Sequence, residues 1–358
     1  MSLPNLLDEL DQAFREGLVA LRTPPTHFYL NLTETCNLRC RHCITHAPDK
    51  TRYGTGRAMS IEVLDALTPH LRHARYVGLT HAGEPISSPL LEPLLERLAK
   101  ARAGQPTIVH VLTNGVLLTE DRFAALTSMG VRSWSFSIDG MSRTSHDVVR
   151  IGSKIDRLVE QIRRLSLLRS ASFPGARIGV AWVMMAANLS EVESLIRFAY
   201  EAELDWVKLE ELVNMNAFTQ AESPADTARL RAAVVQAVEL GRSLGVRVLD
   251  HTGEGVDVWR CRFEDDPAMK RYACLDDFVN RFEINPCRLP YEVVCVEPNG
   301  DVKPVQFERP AAGNVLTQDL LTIWNAPGCR RLRYLARQRR LCGAGPATCA
   351  RGLEPTAW

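Results

Sequence analysis

Between Phe28 and Leu212 short apolar runs alternate with longer stretches of helical periodicity. The runs are FYLNL (28–32), YVGLT (76–80), IVHVLT (108–113), SWSFSI (133–138), RIGVAWVMM (177–185) and WVKLEEL (206–212). Between them lie segments such as SIEVLDALTPHLRHA and SEVESLIRFAYEAE, whose apolar residues recur three and four apart and so line one helix face. Strands alternating with helices predict βαβ units and a parallel sheet. About six units are present, which predicts the α/β class and a partial (β/α)6 barrel open on one side; GVRVLD (245–250) offers a seventh strand. Helix starts carry caps: Ser60 precedes Val63, and Ser190 stands three residues before Glu193, the spacing of a capping box.

The pattern changes after residue 250. VVCVEPNGDVKPV (293–305) reads as two short strands around a Pro-Asn-Gly-Asp turn, a hairpin signal. Two short helical stretches follow, DLLTIWN and PGCRRLRYLARQRR. The expected organisation is an N-terminal amphipathic helix in 1–26, a barrel over 27–250 and a small α+β, cysteine-bearing domain over 251–358. Within the barrel, polar motifs follow the apolar runs: TETC after the first, HAGEP after the second, TNG after the third and SIDG after the fourth. Sites in such architectures lie at the C-terminal ends of the strands, so four motifs in succession mark a shared rim.

Composition narrows the partners. The 358 residues include 46% hydrophobic and 24% charged residues, and 43 Lys and Arg against 42 Asp and Glu leave a net charge of +1. Such balance predicts neither a nucleic-acid partner nor a membrane surface. The N-terminus carries acids early and lacks a cleavable apolar core, and the longest apolar run, Gly179 to Ala187, is too short to span a bilayer. A soluble, cytoplasmic protein is expected. Ten cysteines then need a reason other than disulfides, because the cytosol keeps thiols reduced. They fall in two groups, at 36, 40 and 43 and at 261, 274, 287, 295, 329, 342 and 349, which favours two metal-related regions.

The first group sits in NLTETCNLRCRHCITH, from Asn31 to His46. Thiolates are the soft ligands of iron–sulfur clusters. Three of them on one tight loop leave one iron of a cubane open to a small molecule. A zinc site, the rival reading, needs a fourth ligand, for which His42 or His46 is at hand.

CNLRCRHC resembles the signature of the radical S-adenosylmethionine (SAM) superfamily. The resemblance implies that Cys36, Cys40 and Cys43 bind a [4Fe–4S] cluster whose open iron chelates SAM. It further implies that Gly83, Glu84 and Pro85 meet the amino group of SAM and that Ser137 faces its ribose or carboxylate. By the same resemblance Arg150, in VVRIG, pairs with the carboxylate, Asn188 contacts the ribose, and His42 takes the place of an aromatic residue against adenine. TNG and SIDG are similar to the family's third and fourth strand ends. The resemblance covers roughly residues 26 to 215, and it departs from the family where His81 and Ala82 replace the glycine usual before Gly83. The chemistry implied is cleavage of SAM to methionine and a 5′-deoxyadenosyl radical, with an electron donor such as flavodoxin or ferredoxin.

The C-terminal segment resembles the SPASM/twitch domains that hold auxiliary clusters, but Val305 and Gly345 stand where two cysteines usually fall. Cys287, Cys295, Cys342 and Cys349 remain as ligands for one auxiliary [4Fe–4S] cluster; the alternative is a cluster-free appendage with buried thiols. Cys261 or Cys274 is a candidate hydrogen-atom donor, and Cys329, within a helical stretch, a structural residue. Enzymes of this resemblance act on ribosomal peptides or on sugars, aminocyclitols and nucleosides. The short N-terminal stretch favours a small polar substrate in natural-product, for example antibiotic, biosynthesis, with a ribosomally made peptide as the alternative. Glu34, His81, Asp139, Glu210, Glu211 and Asn214 are candidate substrate contacts, with Asp139, Glu210 and His81 foremost. Dehydrogenation, epimerisation and decarboxylation all stay open, and a non-catalytic zinc or iron–sulfur scaffold is the different class to be excluded.

Overall fold

A computed structural model describes residues 3–80, 82–102, 107–224, 227–252, 289–304 and 310–337. In chain order the strands are β1 (His27–Leu30), β2 (Arg39–Cys40), β3 (Tyr76–Leu79), β4 (Ile108–Thr113), β5 (Val131–Ser137) and β6 (Arg150–Ile151). They continue with β7 (Arg177–Met184), β8 (Trp206–Glu211), β9 (Arg247–His251), β10 (Val293–Val296), β11 (Asp301–Lys303) and β12 (Gly313–Asn314). Ten of them form one sheet in the order β12-β11-β10-β1-β3-β4-β5-β7-β8-β9, while β2 and β6 pair apart as a short ribbon. Every neighbouring pair from β10 to β9 is parallel. The six apolar runs are thus the six central parallel strands, and 245–250 supplies the seventh as β9.

Alternation along each strand sorts the residues. Phe28, Leu30, Val77, Leu79, Val109, Val111, Trp134, Phe136, Ile178, Val180, Trp182, Val207 and Leu209 pack into the main core beneath the helices. The opposite face carries Tyr29, Tyr76, His110, Ser133, Ser135 and Trp206. β4 and β8 are separated by β5 and β7, so a flat sheet would hold them about 14 Å apart at the usual strand spacing. Yet the rings of His110 and Trp206 approach to 6.3 Å between centroids. The sheet therefore curls around its second face into a partial barrel. Gly179, in register with Trp206, makes this possible, because a Cβ there would meet the indole at 2.2 Å.

The C-terminal hairpin does not stand apart from this sheet. β10 lies parallel to β1 with Tyr29 opposite Cys295, and β11 returns antiparallel through a turn in which Gly300 has φ 84°. The helices Leu320–Trp324 and Pro327–Arg337 form where expected, and Ile323 and Trp324 join the main core. Arg333 is fully buried; it donates to the carbonyls of Val19, Pro290 and Trp324 at 2.7–2.9 Å, tying both ends of the chain together. The N-terminal helix, Leu3–Glu16, sets Phe14 edge-on against Tyr291.

The caps differ from expectation. Ser60 occupies the N-cap of helix Ile61–Leu67 without a side-chain bond to the backbone. Ser190 lies inside a turn, Leu189–Glu191, and the helix Val192–Glu201 starts one residue later with Glu191 as its N-cap. Glu193 is instead paired with Arg197 at 2.8 Å. Asn188 explains the shift: its side-chain oxygen accepts from Met185 N at 2.8 Å and shapes the turn before the helix. Among the described residues no helix is long and apolar enough to cross a membrane.

Gly179→Ala should overpack the inner face and cost about 1–3 kcal/mol of stability. Urea unfolding measures it, and adding Trp206→Phe should recover part of the loss; an unchanged midpoint in Gly179→Ala would refute the close approach.

Candidate active site

The cysteine loop leaves β1 and is clamped at both ends before any thiol is reached. Glu34 is buried, and its carboxylate accepts from Lys50 Nζ at 3.0 Å, from Arg57 Nη2 at 2.7 Å and from Arg57 Nε and N at 3.0 Å each. Burial pushes this carboxyl up, but Arg57 and Lys50 more than offset it and bring it down to about 2. Glu34 is therefore a brace, not a substrate contact as its place in the sequence suggests. On the other flank Gly83 has φ 57°, and a Cβ there would meet the carbonyl oxygens of Thr33 and Thr35 at 2.3–2.4 Å. Only glycine lets the β3 loop lie this close to the cysteine loop. Glu84 N then donates to Thr35 O at 2.8 Å. The Glu84 carboxylate, also buried, accepts from Thr113 Oγ1 and Asn114 N at 2.8 Å and from Ile86 N at 3.1 Å. Burial holds its pKa above the usual carboxylate range despite these bonds.

Cys36, Cys40 and Cys43 are free and half-buried. Asn114 Nδ2 reaches Cys36 Sγ at 3.7 Å, Leu38 N reaches it at 3.4 Å, and Thr45 Oγ1 stands 3.3 Å from Cys43 Sγ. Burial pushes the Cys40 thiol up to about 12; Arg150 opposes this, and the Cys43 and Cys36 sulfurs add to it. The Cys36 thiol is raised as well, by burial first and then by the charges of Glu84 and the Cys43 sulfur.

β2 and β6 form the wall of this loop, pairing Cys40 with Arg150 and Arg39 with Ile151. Cys40 and Arg150 face inward, with Arg150 Nη1 3.9 Å from Cys40 Sγ; Ile151 is exposed on the other side. Behind them lies Asp139, just past the end of β5 and without solvent exposure. Its carboxylate contacts Arg150 Nε at 2.5 Å and His42 Nε2 at 3.1 Å and accepts from Val183 N at 2.9 Å. Burial pushes the Asp139 carboxyl up, but Arg150, His42 and the Val183 N–H hold it well below the usual carboxylate range. Asp139 was a candidate for touching substrate; its burial and full set of partners place it behind the site instead. Asn188 is also buried: Nδ2 donates to the carbonyls of Asp139 and Val183 at 3.0 and 2.8 Å, and Oδ1 accepts from Met185 N. Both amide hydrogens are used within the protein, so its side chain has no donor left for a ribose.

Ser137 ends β5 on the inner face, in register with Ala181. Glu210, on β8, is ion-paired with Lys208 on the same face and lies opposite His251 of β9. Lys208 escaped notice in the sequence, although it stands two residues before Glu210 and so shares its face. Glu211 and Asn214 are exposed. Across the mouth Glu297 accepts from Asn31 Nδ2 at 3.1 Å and pairs with Lys303 at 2.9 Å. His81, Cys261, Cys274, Cys287, Cys342 and Cys349 lie outside the described residues.

These positions fit three thiolate ligands and one cation beside them. His42 is committed to Asp139, and His46 lies exposed at the N-terminus of helix Ala47–Arg52. Among the described residues no three His, Cys, Asp or Glu side chains gather around one point closely enough for a single ion. The ligands of one tetrahedral zinc stand about 3.8 Å apart, whereas a cubane spreads its cysteines over separate corners. Cys295 does not fit the auxiliary cluster expected for it. It sits mid-strand between β1 and β11, packed with Tyr29, Tyr76, Ile108 and Val293, and burial pushes its thiol far up. Cys329 is buried, donates to Ile323 O at 3.4 Å and is structural, as its helical setting suggested.

The profile of the radical SAM superfamily matches residues 30–199, the stretch that contains the cysteine loop, the β3 loop, Asp139 and Arg150. Residues 30–199 are a radical SAM domain. An iron–sulfur cluster-binding domain, SPASM, matches residues 287–350. The first domain brings a SAM-binding [4Fe–4S] cluster, and the second match brings auxiliary iron–sulfur binding to the C-terminal segment. A curated relative is the tungsten-containing aldehyde ferredoxin oxidoreductase cofactor-modifying protein of Pyrococcus furiosus, 26% identical over 50% of this chain and 49% of its own length. GTP 3′,8-cyclase of Synechococcus sp. WH7803 is 32% identical over 53% of this chain and 58% of its own. The chain spans about half the length of the curated relatives it matches. Among solved structures, Streptococcus suis SuiB bound to S-adenosylmethionine aligns with TM-score 0.64 at 15% identity, covering 95% of this chain and 75% of SuiB. The enzyme anSMEcpe with bound AdoMet aligns with TM-score 0.61 at 15% identity, covering 87% and 84%. These likenesses show that the radical SAM chain has the fold of both.

Cys295→Ala should leave the iron and sulfide content of the anaerobically reconstituted protein unchanged; a loss of about four irons per chain would restore Cys295 as a ligand. The Glu34 brace stabilises the fold fully above the unfolded carboxylate pKa and loses its effect as pH falls through about 2. The stability advantage over Glu34→Gln in the apo protein should be about 3 kcal/mol near neutrality and should narrow as pH falls from about 5. Urea titrations at several pH values measure this, and a gap independent of pH would refute it.

Proposed function

We propose that this radical SAM protein is an enzyme that abstracts a hydrogen atom from a small polar substrate bound on the inner face of its curled sheet. The substrate is a sugar, aminocyclitol or nucleoside, and the setting natural-product biosynthesis. The observation that carries this reading is the polar lining of the barrel mouth, Lys208–Glu210 with His251 on one side and Asn31–Glu297–Lys303 on the other. Both walls are ion pairs held within the protein, so they present donors and acceptors without a large excess of either charge. Hydroxyl groups, which donate and accept, match such walls.

When bound, a reduced [4Fe–4S] cluster supplies the electron that splits SAM into methionine and a 5′-deoxyadenosyl radical. Cys36, Cys40 and Cys43 would hold that cluster, for which an external one-electron donor such as a flavodoxin or ferredoxin would be the partner. Arg150 binds the SAM carboxylate through the guanidinium donors that Asp139 leaves free. The loop Gly83–Pro85 receives the amino group, and Ser137 offers a hydroxyl to the ribose or carboxylate. Lys208 Nζ and Glu210 orient the substrate's hydroxyls. The aromatic layer of Tyr29, Tyr76, His110 and Trp206 closes the floor and excludes water.

Anaerobic protein with dithionite and SAM should form 5′-deoxyadenosine, and the Cys36/Cys40/Cys43→Ala variant should form none; equal rates would sink the cluster assignment. Pools of sugars, aminocyclitols and nucleosides should raise the rate above the substrate-free background and yield new masses. Stimulation by peptides alone would replace the substrate class.

A further inference from the structure

Among the described residues Asp139 is the one charged side chain at the rim with no solvent exposure at all, and the reading above leaves it without a task. Its contacts are specific. It lies 2.5 Å from Arg150 Nε, 3.1 Å from His42 Nε2 and 2.9 Å from Val183 N. Its backbone is fixed as well: Asp139 N is 3.3 Å from His146 Nδ1, and its carbonyl accepts from Asn188 Nδ2 at 3.0 Å. His146 in turn is buried and bonded to Ser153 Oγ at 2.9 Å. The carboxylate is thus a rigid point set by β5, β7 and the turn after β7. Arg150 and His42 come to this point from the two-residue strand β6 and from the cysteine loop.

A guanidinium has five donors in a rigid plane. Holding Nε against a fixed carboxylate sets the orientation of that plane and leaves the Nη groups to point elsewhere. One of them, Nη1, lies 3.9 Å from Cys40 Sγ, so the free edge of Arg150 faces the cysteine loop. A cation aimed beside the cluster-binding thiols is where a carboxylate chelating the open iron must find its counter-charge.

We propose that Asp139 is a positioning residue for SAM: it does not touch the cofactor, but it aims Arg150 at the SAM carboxylate. The proposal rests on the reading that Arg150 binds SAM. It differs from a general structural role because its effect on SAM must pass through Arg150. A thermodynamic cycle isolates that dependence.

The experiment measures SAM binding by calorimetry to the anaerobically reconstituted holoenzyme in its oxidised state, in which SAM is not cleaved. The proteins are the native chain, Asp139→Asn, Arg150→Ala and the double variant, each checked for iron content. Asp139→Asn should keep its iron and weaken SAM at least tenfold. Arg150→Ala should also weaken it, and the double variant should bind no more weakly than Arg150→Ala alone. The reduced-cluster EPR spectrum of Asp139→Asn should need proportionally more SAM to show the change that SAM binding produces.

Native affinity in Asp139→Asn overturns the proposal. So does a double variant weakened by the product of the single effects, since Asp139 would then act independently of Arg150. If Arg150→Ala binds SAM as the native protein does, the carboxylate reading itself fails, and a separate Asp139 effect would again overturn the positioning role. Should Asp139→Asn fail to load iron, Asp139→Glu replaces it in the same cycle. That variant keeps the charge but displaces it by a methylene, and the same two outcomes decide.

Discussion

The burial of one carboxylate organises the whole rim. Removing an ionised group from water costs several kcal/mol unless charges and N–H groups meet it, and Asp139 has no exposure. The chain satisfies it with Arg150, His42 and Val183 N, which come from β6, the cysteine loop and β7. Because these stretches are far apart in sequence, neutralising the charge obliges them to meet at one point. Glu34 repeats the device on the other flank, drawing Lys50 and Arg57 back onto the start of the loop. Two buried anions with cationic partners thus bracket the three thiols. The loop is held in shape by its surroundings before any cluster supplies bonds of its own.

The sheet makes that arrangement affordable in space. Its outer face is filled by large apolar residues against the helices, while the inner face is reduced by Gly78, Gly179, Ser133 and Ser135 beside large rings. Small and large residues alternate across neighbouring strands, so the sheet curls without crowding, and His110 meets Trp206 across two intervening strands. Above this aromatic floor the walls turn ionic. The change from rings to ion pairs along the strand direction separates a dry base from a mouth fit for polar groups.

Much of this was legible in the sequence, for a physical reason. Long runs with one period, such as RIGVAWVMM, declare a strand buried on both faces, and the six of them appear as strands in sequence order across the sheet. The hairpin around Pro-Asn-Gly-Asp and the two late helices were equally plain. The β2–β6 ribbon was not, because two residues carry no period. Asp139, Glu34 and Asn188 were read as contacts because polar residues at strand ends look alike in sequence. Only partners brought from distant stretches distinguish a brace from a binding group. Ser190 failed as a cap because the Asn188 side chain organises a turn that a spacing rule does not contain.

The C-terminal segment shows how a strand constrains metal chemistry. β10 must pair with β1 along its whole length, which turns Cys295 onto the inner face beside Tyr29 and removes it from any cluster outside the sheet. Cys329 is removed by its own helix packing. Of ten cysteines, three lie on the loop after β1 and these two are packed. Cys261, Cys274, Cys287, Cys342 and Cys349 are left for the iron–sulfur chemistry that the SPASM match brings. Of these five, only Cys287, Cys342 and Cys349 fall within the SPASM match, one thiol short of the four that a cubane ligated wholly by cysteine takes, while Cys261 and Cys274 precede it.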